Sequence, residues 1–163
     1  MTEQDIIDLW DKYETPDEVR EHCKAVCAAA SYYAESIACG RENINQDLVE
    51  DAALLHDIVR HHRNHEAEGA VILEAEGYPE IAWIVARHND FPDTDWSAPL
   101  AVETALVYLA DKQMKGTDMV SLEARFEESR EKIMQQVDRE EALKVHEARY
   151  RQAKKLRKIF LGV

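Results

Sequence analysis

The stretch AALLHDIVRHHRNHE, Ala52 to Glu66, runs an apolar helical lead-in straight into His56-Asp57 and then repeats histidine at 61, 62 and 65. Apolar residues ahead of the dipeptide imply burial, and an imidazole and a carboxylate buried together are costly unless something compensates. A bound cation is the simplest compensation. Which other polar side chains point the same way then decides the architecture.

Helix punctuation on either side places the elements. Ile6, Ile7 and Trp10 share a face and give a short leading helix. TPDE offers Thr15 as N-cap, Pro16 at the first helical position and Glu18 closing a capping box, so a helix is expected to about Cys39, with Gly40 as its stop. Asn45 caps the next helix, through Leu48, Ala52 and Leu55 to about Arg60. A third opens near Asn64 and ends at Gly77; Pro79 starts a fourth, PEIAWIVARHND. DFPDTDWSAP reads as a loop, after which Ser97 and Pro99 start LAVETALVYLADKQMKG, stopping near Gly116. Ser121 caps LEARFEESREKIMQQV, and a last helix carries ALKVHEARYRQAKKLRKIFLGV. With only five Gly and four Pro in 163 residues, 45% of them hydrophobic, the expected fold is all-α: a single-domain helical bundle spanning residues 1–163.

Several polar residues sit where this bundle needs apolar ones. His22 lies between Val19 and Val26 on one helical face. His88 follows the stripe of Ile81, Ile84 and Val85, and Asp111 follows Leu100 and Val107. Any one of them fits a hydrogen-bonded core residue. Together with His56 and Asp57, two inward carboxylates and three inward histidines are hard to satisfy without a cation.

The net charge of −13 argues against a general nucleic-acid binder. The six cations of RYRQAKKLRK, Arg149 to Lys158, are interleaved with apolar residues and fit a packing helix with a solvated face. The N-terminal segment shows no signal-peptide pattern and no stretch approaches membrane-spanning length, so a cytoplasmic location is expected. Cys23, Cys27 and Cys39 read as small buried thiols, and His146, in a strongly charged helix, as exposed and inert. Tyr108, Trp83 and Trp96 fit either core or pocket, with Trp96 the better candidate for stacking on a base.

At His22 in VREHCKAV, His56-Asp57 in AALLHDIVR and Asp111 in VYLADKQMKG, the sequence resembles the HD-domain metal-dependent phosphohydrolase superfamily, whose signature is one His, an adjacent His-Asp pair and a distant Asp. The resemblance covers about Pro16 to Gly116 and leaves the C-terminal helices of residues 117–163 less constrained. It implies an HD-type bundle, His22, His56, Asp57 and Asp111 as metal ligands, and Asp57 as catalytic in activating water. NHEAEGA and IVARHND look like the segments that carry further histidines in two-metal members, such as the symmetrical diadenosine tetraphosphate hydrolases. His65 and His88 are then second-metal ligands, with Asp57 bridging. One or two divalent transition metals are implied, and mixed imidazole and carboxylate donors suit Fe, Mn, Co, Ni or Zn better than calcium. The chain departs from the frequent HDIGK form in having Val59 and Arg60, the former suggesting a more regular helix end.

The implied activity is hydrolysis of a phosphomonoester or phosphoanhydride, with a nucleotide as the expected small phosphorylated partner. Arg60 and Lys112, each beside a proposed ligand, are the expected phosphate contacts; His61, with His62 in the basic segment between helices, reads either as a solvated turn or as a further substrate contact, to phosphate or to the leaving group. A di-iron oxygenase and a non-catalytic module that binds a nucleotide or a partner protein remain the alternatives.

Overall fold

Thr2 accepts a hydrogen bond from the Asp5 amide, and the Asp5 carboxylate accepts one from the Thr2 amide, a reciprocal cap that starts α1 (Glu3–Lys12). The computed structural model describes residues 1–38, 44–90 and 98–162. Cys39 and Gly40 as a helix end, and Trp96 and Ser97 in the acidic loop, lie outside the described residues.

The long helix α2 (Asp17–Ala38) starts differently from expectation. The Thr15 hydroxyl does not cap it but donates to the carbonyl of Ile58 at 2.7 Å, and Pro16 supplies the carbonyl that receives the Arg20 amide. Asn45 does cap α3 (Gln46–Leu55), accepting from the Leu48 amide at 3.1 Å. That helix stops at Leu55 rather than near Arg60. Tight turns follow, the amides of Ile58, Arg60 and His62 each donating three residues back. Val59 therefore sits buried in a turn, against Gly69, and does not extend the helix.

Asn64 stands at the start of α4 (His65–Ala75) without a side-chain cap. Gly77, in the left-handed region at φ 91°, turns the chain into α5 (Pro79–Val85). α5 ends at Val85, so His88 lies beyond it and not within it. α6 (Ala101–Lys112) begins after Leu100, itself left-handed, with no side-chain cap.

Gly116 is not a helix stop: it belongs to the turn of a small antiparallel ribbon, β1 (Met114–Lys115) and β2 (Asp118–Met119), with Met114 opposite Met119. Ser121 caps α7 (Leu122–Met134) as expected, and α8 (Arg139–Leu161) closes the described chain. The fold is all-α, with eight helices and this one ribbon among the described residues. No helix of the described residues is long and apolar enough to cross a membrane.

One hydrophobic cluster joins these elements. α2 packs on α3 and α6, α4 on α5, and the α7–α8 hairpin leans its α8 arm on α2 and α6. α8 buries Ala153, Leu156 and Phe160 while Ile159 stays 42% exposed, the packing helix with a solvated face that its sequence implied. Tyr108 is core, its hydroxyl donating to the Arg149 carbonyl. Trp83 is partly exposed, with the Arg87 guanidinium stacked 3.5 Å from its ring centre. His146 is neither exposed nor inert: it is buried, and its Nε2 donates to the Phe126 carbonyl at 2.9 Å, tying α8 to α7. Cys23 is a buried free thiol and Cys27 a partly buried one.

Candidate metal centre

α2, the turns after α3 and α5, and the ends of α4 and α6 each deliver polar side chains to one place in this core. Asp57 is at its middle. Its Oδ2 lies 3.6 Å from His56 Nε2 and 4.0 Å from His22 Nε2, while its Oδ1 lies 3.3 Å from His65 Nε2 and 3.5 Å from His88 Nε2. Asp111 Oδ1 completes the first side, 3.3 Å from His22 Nε2 and 3.8 Å from His56 Nε2. The six residues expected as ligands are thus together. Five of them form two groups with suitable donor spacing that share Asp57, one of His22, His56 and Asp57 and the other of Asp57, His65 and His88, with Asp111 beside the first.

Three of the four rings are aimed by backbone carbonyls. His56 Nδ1 donates to Ala53 at 2.8 Å, His88 Nδ1 to Val85 at 2.7 Å and His22 Nδ1 to Gly116 at 2.7 Å. Those bonds set the tautomer and leave each Nε2 turned toward a carboxylate. Burial lowers the His56 pKa, against the pull of Asp57, so its ring is neutral and its Nε2 lone pair faces acceptor oxygens. His56 Nε2 and Asp57 Oδ1 accordingly stand among the buried side-chain atoms with no hydrogen-bond partner. Buried acceptors facing one another need a cation between them, and the mixed nitrogen and oxygen donors fit a divalent transition metal.

The carboxylates are kept ionised. Burial alone would raise Asp57, but the imidazoles around it, His56 first and then His65 and His88, hold it far below the usual range. Burial is likewise overcome at Asp111 by the Lys112 charge and by His22, leaving it well below normal. Lys112 Nζ reaches Asp111 Oδ2 and Asn89 Oδ1, both at 2.6 Å. Arg60 Nε is 3.2 Å from Asp57 Oδ2, and its NH1 lies 3.3 Å from His65 Nδ1.

A cavity of about 270 Å³ opens over the cluster, with Arg60 and Lys112 on its wall. His61 is exposed, edge-on to His62, and is not among the residues lining that cavity. Three further wall residues had no signal of their own in the sequence. Asn89 bridges Lys112 and Glu66, Glu18 sits a helical turn from His22, and Arg125 from α7 donates its Nε to the Met114 carbonyl. Asn89 follows His88 directly, and that adjacency is what could have pointed to it.

No curated protein and no solved structure matches the chain. A family model described as HD domain matches residues 19–143, a span that holds all six clustered residues, and members of that family are generally metal-dependent phosphohydrolases. On that match the chain belongs to the HD domain family.

Proposed function

We propose that this chain is a metal-dependent phosphohydrolase acting on a small phosphorylated compound, a phosphomonoester or phosphoanhydride, with nucleotides the first class to test. In this reading His22, His56, Asp57 and Asp111 hold one divalent cation, and Asp57, His65 and His88 a second. The observation that carries it is the division of labour at Asp57, one oxygen facing each group of histidines. Bound divalent cations supply Lewis-acid charge to the phosphoryl oxygens and acidify a water for in-line attack.

The protein's own residues do the rest. Asp57 keeps the two halves of the centre in register. Lys112 and Arg60 stand on the cavity wall as donors for phosphate oxygens, the guanidinium able to do so through two N–H groups. Asn89 holds the Lys112 ammonium at a fixed height, so the donor is placed before substrate arrives. Water forms the new P–O bond, the P–O bond to the leaving group breaks, and the leaving oxygen takes a proton from solvent.

The test is phosphate release by the manganese- or iron-loaded chain from a panel of nucleotides and other phosphorylated metabolites. Release should vanish in His56→Ala and Asp57→Ala while cooperative thermal unfolding persists. Undiminished release by Asp57→Ala would overturn the proposal.

A further inference from the structure

A second cavity, of about 540 Å³, lies between the metal-centre cavity and the α7–α8 hairpin. The two meet along a shared wall of Arg60, His65, Asn89, Lys112 and Arg125. Three of those five are cations. Arg60 and Lys112 are already engaged with Asp57 and Asp111, whereas Arg125 has no carboxylate partner among the described residues, its Nε bonding only the Met114 carbonyl. A dianionic phosphoryl group is the natural occupant of this junction.

Beyond the junction the chemistry changes. Phe126, Ile133, Ala142 and Val145 supply apolar walls, and Val145 is 38% exposed. The only cation added there among the described residues, Arg149, is bound through two N–H groups by Asp90 at 2.8 and 3.0 Å. Glu66 and Glu141 are added as well. Lys144 reaches Glu141 at 3.5 Å, but both side chains are well exposed and water screens the pair. The outer cavity therefore repels a second phosphate and rewards an uncharged apolar body.

Resting on the hydrolase reading above, we infer that the α7–α8 cavity is the leaving-group site, and that it selects phosphomonoesters of an uncharged alcohol with an aromatic or nucleoside-sized body over phosphoanhydrides. Hydrolysis there consumes one water, transfers the phosphoryl group to it and releases the alcohol, protonated by solvent, into the outer cavity. Arg125, at the boundary, is a positioning residue for the phosphoryl group.

Two readouts test this on the metal-loaded full chain. In calorimetry, benzylphosphonate should bind about tenfold or more tightly than methylphosphonate, and Val145→Trp, which fills the cavity, should bring that ratio toward one. In turnover, kcat/KM for adenosine 5′-monophosphate should exceed that for adenosine 5′-diphosphate by about tenfold, with Glu141→Lys narrowing the gap several-fold. Equal binding of the two phosphonates, or a diphosphate preference, with phosphate release intact overturns the leaving-group site alone. Absence of release from every phosphorylated compound overturns the hydrolase reading and this inference with it.

Discussion

The hydroxyl of Thr15 donates to the carbonyl of Ile58 at 2.7 Å, fastening the start of α2 to the turn that carries Asp57. The bond is buried, so removing its donor leaves a carbonyl without water or a replacement partner. Thr15→Val keeps the side-chain shape and should cost about 1–2 kcal/mol in urea unfolding. It should also loosen metal binding although no ligand is altered, since the turn that carries Asp57 loses a tie to the segment leading into α2. Unchanged stability would show that the turn is held by packing alone.

Metal content per chain separates the two groups around Asp57. The reconstituted wild type is expected to hold about two equivalents and His88→Ala about one, by elemental analysis after exhaustive dialysis. One equivalent in both would place His88 outside the ligand set.

Lys112→Gln removes a charged donor from the cavity wall and the strongest local neutraliser of Asp111. KM for a phosphorylated substrate should rise about tenfold or more, consistent with loss of a charge-assisted hydrogen bond. A change confined to kcat would instead put the role of Lys112 in the reaction step.

Burial first, and then the Glu50 carboxylate, push the Cys27 thiol up to about 11. The folded value lies above the unfolded one of about 8.5, so the protonated thiol contributes stability that is complete below about 8.5 and disappears as the pH rises through about 11. Iodoacetamide at pH 8 should label Cys27 of the native chain at least about tenfold more slowly than in the denatured chain, read by peptide mapping. Cys23, fully buried and likewise raised by burial, should be slower still. Equal native and denatured rates would contradict the shift.

Most of the centre was legible because its residues violate the apolar stripes around them. His22 and Asp111 interrupt otherwise hydrophobic helical faces, and His88 follows the apolar stripe of α5 one turn past its end. The helix ends were not legible, for a related reason. Ile58 and Val59 remain buried beyond Leu55, so a tight turn inside the core carries the same apolar signature as one more helical turn. The Thr15 hydroxyl was diverted from capping by a carbonyl distant in sequence, which no local pattern encodes. The ribbon at Gly116 pairs only two residues with two, too few for an alternating strand signal. His146 was missed because its partner is a main-chain carbonyl of α7, invisible in a helix whose side chains are mostly charged.

The ring-aiming bonds also imply an order of assembly. His56 and His88 each bond a carbonyl three residues earlier in their own turns, so these rings are oriented as soon as α3 and α5 form. His22 takes its orientation from Gly116, 94 residues away, and that contact exists only once the ribbon has docked on α2. Closing so long a loop is entropically the slowest of the three steps. Of these three rings, His22 is therefore expected to be the last locked in place, once residues far apart in sequence have come together.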